Sequence, residues 1–128
     1  MKNILIDTNT YSAFKDDIEE VVNVFRIVEH IGINSTVLGE LYSGFKLGSK
    51  EKQNSAALNQ FLDSPRVFFY SIDETTAEIY AGIFKSLRQD GNPITTNDIW
   101  IAATAMQHGL ALYSLDKHFD KINGLLRF

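Results

Sequence analysis

Short apolar runs alternate with helical stretches along this chain, and that alternation admits few folds. Ile4-Leu5-Ile6 reads as a buried strand, followed at once by Asp7. Thr8 to Phe14 reads as a short helix, and Asp16-Asp17 can cap a second with Ile18, Val21, Val22, Phe25 and Val28 at helical spacing. Gly32 is expected to end that helix, with Ile33-Asn34 opening a second strand. Ser35 or Thr36 can cap a third helix to Leu47, with Leu38, Leu41, Tyr42 and Phe45 as its core stripe and Gly48 beyond. Ser49 opens a fourth helix, with Ala57, Leu58, Phe61 and Leu62 inward, and Pro65 stops it. Val67 to Tyr70 is rich in β-formers, and Asp73 caps a fifth helix that ends near Gly91. A sixth helix starts near Thr96-Asn97-Asp98, capped by Thr96 or Asn97. It is apolar nearly all round, so it should be deeply packed, and Gly109 ends it. Ala111 to Ser114 is a strand, Asp116 to Ile122 a loop or short helix, and Leu125 to Phe128 a candidate last strand.

This order predicts an α/β fold with a short, mostly parallel sheet covered on both faces. Ligands in such sheets sit outside the carboxyl ends of the strands. The rule selects Asp7, directly after the first strand, and Asp116, two residues past the Ala111–Ser114 run.

Composition narrows the chemistry. The 128 residues are 45% hydrophobic and 22% charged, which fits one folded domain over 1–128 and argues against disorder. There is no cysteine, so disulfide scaffolds, thiolate metal sites and cysteine nucleophiles are all excluded. A cytoplasmic protein is the natural reading. No apolar stretch has the length of a membrane span, and the opening Met1-Lys2-Asn3-Ile4-Leu5-Ile6 lacks the apolar core of a signal peptide, reading instead as a buried strand. Sixteen acids against twelve bases give a net charge of −4, which disfavours a broad basic face for nucleic acid. If four of the acids form a metal site, 16 − 4 leaves 12 against 12, a neutral remainder.

Four acids stand out. Asp7 lies at a strand-to-helix junction, where a cap stabilises by ~1 kcal/mol, so cap and functional acid are both open. Glu40 lies almost opposite its helix's core stripe and alone reads as a solvated glutamate. Thr36, Ser43 and Gly44 on its face are small, however, and leave room for a groove. Asp98, in the first turn of the sixth helix, complements the helix dipole by ~0.3–1 kcal/mol, yet a cap is already available there. Asp116 can make an Asx turn, and Ser114 before it can hydrogen-bond a carboxylate. The collective argument is stronger. A parallel sheet brings Asp7, Asp98 and Asp116 to one edge, where their repulsion demands raised pKa values or a cation. Oxygen ligands without cysteine suit Mg²⁺ or Mn²⁺, which activate water and stabilise charge on a phosphate.

With these residues in view, the chain resembles the PIN-domain ribonucleases, specifically VapC-type toxins of type II toxin–antitoxin systems. The resemblance spans essentially the whole chain. It is carried by Ile4-Leu5-Ile6-Asp7-Thr8-Asn9, by Glu40-Leu41 with Gly44, by Asn97-Asp98-Ile99-Trp100-Ile101-Ala102-Ala103, and by Leu115-Asp116 through His118-Phe119, with Ile122, Gly124 and Leu125 beyond. It implies a three-layer α/β/α PIN-like domain. It also implies an Mg²⁺- or Mn²⁺-dependent endoribonuclease acting on single-stranded or loop RNA such as tRNA or rRNA. The family's catalytic acids map onto Asp7, Glu40, Asp98 and Asp116, with Asp7, Asp98 and Asp116 as metal ligands. Ser114 stands where many relatives have threonine and keeps the hydroxyl. The resemblance further implies a homodimer, a VapB-type antitoxin that masks the groove, and DNA contact only through that antitoxin.

His118 lies close to Asp116 in sequence, which leaves a site role open, but a structural polar contact is the favoured reading. Lys46, Lys50, Lys52, Lys85 and Arg88 are candidates for phosphate contacts, although most read as plain solvated surface. Three other functions compete. An aspartyl phosphatase wants a second acid two residues after Asp7, where this chain has Asn9. A phospho-accepting signalling domain wants an acceptor on a central strand, and Val67–Tyr70 is followed only by Asp73, which reads as a cap. A non-catalytic partner-binding domain needs none of the four acids.

Overall fold

The computed structural model describes residues 3–128; Met1 and Lys2, part of the expected opening strand, lie outside the described residues. Strand β1 (Asn3–Ile6) is followed by helices α1 (Thr8–Lys15) and α2 (Glu19–Ile27), strand β2 (His30–Asn34), and helices α3 (Ser35–Leu47) and α4 (Glu51–Leu62). Strand β3 (Val67–Tyr70), helices α5 (Glu74–Gln89) and α6 (Thr96–Gln107), strand β4 (Ala111–Tyr113) and a 3₁₀ helix at Lys117–Lys121 complete the order. The strands run β3-β2-β1-β4, and every pairing is parallel. The expected α/β class with a parallel sheet is therefore what the chain adopts.

Ile4, Leu5 and Ile6 are fully buried, as a strand covered on both faces requires. Tyr11, Phe14, Phe25 and Phe61 form an aromatic cluster that ties α1, α2 and α4 together. Helix α5 packs on α6, where Tyr80 stacks on Trp100 with ring centroids 4.1 Å apart. Ile99 and the run Ile101 to Ala105 are all buried, so the nearly all-round apolar character of α6 does mean deep packing.

The structure corrects several boundaries. Gly32 does not end α2; it sits within β2, and α2 stops at Ile27. A Cβ at Gly32 would lie 2.8 Å from Tyr70 Cε2, 3.1 Å from Leu5 Cδ1 and 3.2 Å from the Ile4 carbonyl. The glycine serves close approach between strands and ring rather than chain termination. The cap of α3 is Asn34, whose side chain accepts from the Val37 N–H at 3.0 Å, and neither Ser35 nor Thr36. The cap of α6 is Thr95, one residue before the expected pair. Helix α4 begins at Glu51, after Ser49. The segment 125–128 contributes a single bridge, Leu112 to Arg127, instead of a full strand.

Asn34 is completely buried and does more than cap. Its amide donates to Thr104 Oγ1 at 3.0 Å, and Thr104 donates to the Trp100 carbonyl at 2.9 Å. The start of α3 is thereby fastened to the middle of α6.

The Tyr70 ring over Gly32 cannot swing away cheaply, because its hydroxyl is bonded to His30 Nε2 at 2.6 Å. Gly32→Ala should therefore destabilise the fold by about 1–3 kcal/mol, as overpacking of a filled site does. Urea unfolding of the variant beside the parent checks this, and an unchanged midpoint would refute the close packing.

Candidate active site

The strand order fixes where a site can form. The chain passes from β1 to β2 to β3 in one direction, then returns to β4 on the other side of β1. The crevice between β1 and β4, at their carboxyl ends, is the topological switch point where parallel sheets bind ligands. Ile6 pairs with Tyr113, so the next residues, Asp7 and Ser114, emerge side by side.

Asp7 is 5% exposed. Its Oδ1 accepts from the Thr10 N–H at 3.0 Å and the Thr10 hydroxyl at 2.6 Å, and its Oδ2 accepts from the Ser114 hydroxyl at 2.6 Å. The two readings left open for this residue are not exclusive, since it caps α1 and also lines the crevice. Ser114 relays the arrangement onward, its Oγ accepting from the Asp116 N–H at 3.0 Å.

Asp116 caps the 3₁₀ helix. Its Oδ1 accepts from the His118 N–H at 2.9 Å and lies 3.1 Å from His118 Nδ1. The loop is pinned beneath by Phe119, 1% exposed, and across by Arg127. The Arg127 guanidinium donates to the Ser114 carbonyl at 3.0 Å and to Asp120 Oδ1 at 2.6 Å. Sequence reasoning had no reason to single out Arg127, since nothing local in the chain marks its partners.

Asp98 stands in the first turn of α6, half-buried, its N–H donating to Thr95 Oγ1 at 3.3 Å. Burial raises its pKa, and Asp116, Asp7 and Glu40 raise it further by repulsion, against a lowering hydrogen bond from Thr95. Glu40 reaches this group from α3. Its Oε1 accepts from the Thr8 hydroxyl and its Oε2 from Asn97 Nδ2 at 3.1 Å. Thr8 and Asn97 are the neighbours of Asp7 and Asp98, so the polar residues beside those acids were the signal that periodicity on α3 lacked.

Asp116, Asp7 and Glu40 thus all lie close enough to Asp98 to repel its charge. Among the described residues, the tightest set of candidate ligand atoms comprises Asp98, Asp116 and His118, mutually within 4.8 Å. His118 thus makes the polar contact favoured for it and also stands among the candidate ligands. Beside Glu40, an open groove of about 730 Å³ is lined by Thr36, Gly39, Glu40, Ser43, Ile72, Asn97 and Trp100. Lys46 is engaged with Glu51 at 3.0 Å. Asp73 is a capping residue whose Oδ1 is taken by Thr76 and Gln107, which leaves little for a phospho-acceptor role.

Comparison with known proteins places the fold in a family. The family model for the PIN domain matches residues 4–125. The chain belongs to the PIN-domain family. Within it, the chain is 32% identical over 88 residues to ribonuclease VapC4 of Mycobacterium tuberculosis, covering 69% of this chain and 68% of that protein. Among solved structures, VapBC2 from Rickettsia felis, bound to a DNA fragment from its promoter, superposes with TM-score 0.88 and 26% identity over 98% of this chain and 96% of that one. DNA-bound VapBC from Salmonella typhimurium gives TM-score 0.89 over 100% and 98%, and at 24% identity that likeness is one of fold.

The electrostatics of this PIN domain predict a stability signature. A carboxyl whose pKa is raised by folding destabilises the fold when ionised. The cost is absent below the ordinary aspartate value of about 3.9 and complete above the raised value. Without metal, Asp98→Asn should melt higher than the parent at pH 7, and the gap should close as the pH falls below 4. Mn²⁺ at a hundredfold excess over its dissociation constant should stabilise the parent by about 2.7 kcal/mol and the variant far less. Melting scans across pH with and without Mn²⁺ check both, and a variant that melts lower than the parent at neutral pH would refute the destabilising charge at Asp98.

Proposed function

We propose that this PIN domain is a divalent-metal-dependent endoribonuclease, the toxin of a toxin–antitoxin pair. The observation that carries the reading is the placement of Asp116, Asp7 and Glu40 around Asp98, whose pKa is raised by burial and then further by these acids. Carboxylates so placed lower their repulsion by sharing a cation, and oxygen donors favour Mg²⁺, with Mn²⁺ as a substitute. Asp98 and Asp116 would hold the ion, with Asp7 behind them. A divalent ion there supplies a Lewis acid for the scissile phosphate and lowers the pKa of a water.

The chain's own residues set the rest. Ser114 and Thr10 hold the Asp7 carboxylate, so the floor of the site does not shift when charge builds on the phosphate. Glu40, fixed between Thr8 and Asn97 at the groove wall, adds negative charge that favours a cation beside Asp98. The groove's small side chains, Gly39 and Ser43, admit a single strand or a loop, which makes exposed RNA such as tRNA or rRNA loops the substrate class.

The partners follow from the same surface. A VapB-type antitoxin occupying the groove would silence the enzyme. With a net charge of −4, the toxin would leave DNA contact to that antitoxin. A homodimer in the cytoplasm completes the proposal; among the described residues no helix is long and apolar enough to cross a membrane.

Incubating the purified protein with total RNA tests the activity. Cleavage should require Mg²⁺ or Mn²⁺, stop with EDTA, and fall by at least about 100-fold in Asp98→Asn, because losing a ligand of the ion forfeits several kcal/mol of transition-state stabilisation. Cleavage indifferent to both EDTA and the substitution would overturn the metal-carboxylate reading.

A further inference from the structure

We infer that His118 is a ligand of the crevice ion, a nitrogen donor among carboxylates, and that it tilts the site toward first-row transition ions over Mg²⁺. The inference rests on the metal-dependent reading above and goes beyond it in naming a ligand the four acids do not include.

The geometry singles out this residue. Asp98, Asp116 and His118 each offer one ligand atom, and these atoms all lie within 4.8 Å of one another. Donors about 2.1 Å from one ion lie at most about 4.2 Å apart, so a modest side-chain rotation closes the set. Asp7 is differently placed, since both of its oxygens already accept short hydrogen bonds from Thr10 and Ser114. It supports the floor, while His118 stands at the rim.

Orienting Asp116 is the competing role for the ring, and that role is already filled. The His118 backbone N–H holds Asp116 Oδ1 at 2.9 Å. Buried Phe119 and the Arg127 bond to the Ser114 carbonyl fix the loop on either side. The ring, with its side chain 62% exposed and its Nδ1 3.1 Å from Asp116 Oδ1, duplicates that backbone contact and can turn toward an ion without releasing the loop. Its backbone anchor keeps the imidazole beside the carboxylates as it does so.

Chemistry supplies the consequence. Imidazole suits borderline ions, whereas carboxylate and water suit Mg²⁺. One nitrogen in the set therefore raises affinity for Co²⁺ most, for the harder Mn²⁺ less, and leaves Mg²⁺ nearly untouched.

Pulsed EPR of the Mn²⁺-loaded protein reads the ligand directly. The parent should show ¹⁴N coupling of an imidazole, and His118→Gln should lose it while still binding Mn²⁺. Calorimetry with each ion alone should show Co²⁺ affinity falling about tenfold or more in His118→Gln, a loss at least like that of removing an outer-shell partner. Mg²⁺ affinity should change little. Bound Mn²⁺ with no ¹⁴N coupling in the parent overturns the inference and leaves the metal site standing. So does coupling that persists in the variant, which would belong to another histidine, or an equal loss of all ions, which would mark a purely positioning role. A parent that binds no Mn²⁺ at all overturns this inference and the metal-dependent reading together.

Discussion

A carboxylate buried at the end of a parallel strand is costly unless it is fully hydrogen-bonded, and this fold is arranged around meeting that condition for Asp7. The first turn of α1 supplies the Thr10 N–H and hydroxyl, and β4 supplies the Ser114 hydroxyl through its register with β1. Without β4 beside β1, Oδ2 would lose its short bond. Without α1 starting at once after β1, Oδ1 would lose both of its donors. The crossover that returns the chain to β4 therefore completes both the sheet and the floor of the crevice.

The other acids hang from this floor by short polar links. Ser114 passes the contact to the Asp116 backbone, and Thr8 and Asn97 carry Glu40 between the starts of α1 and α6. Asn34 and Thr104 fasten α3 to α6 from within the core. Helices far apart in sequence thus meet at one place through buried amides and hydroxyls, while the apolar core supplies the bulk of the packing. Each link between helices is local in space and distant in the chain.

That distinction explains what could be read from the residues alone. The Ile4–Ile6 run, the β-formers at 67–70 and the apolar surface of α6 encode their own conformation, so the alternating α/β order was legible. Asp7 and Asp116 were legible because a strand end is a local feature with a known consequence. The caps at Asn34 and Thr95 were misplaced by one residue because several neighbouring residues have the right chemistry, and packing decides among them. Gly32 was misread because its reason is the Tyr70 ring, thirty-eight residues away in sequence. Glu40 gained support mainly from the family resemblance, since its partners sit on other helices. His118 and Arg127 depend on how the final loop folds back over β4, which no spacing reveals.

The double service of Asp7 has a bearing on lineages that lose activity. A residue that caps a helix and satisfies two hydroxyls is held by folding alone, whether or not any reaction takes place. Asp98 has the opposite character, because its charge burdens the fold in the absence of a cation. A decaying copy of this protein would thus shed Asp98 readily and keep Asp7 longest. In surveys of degenerate relatives, an intact aspartate after the first strand would say little about function, and the aspartate opening the sixth helix would be the informative one.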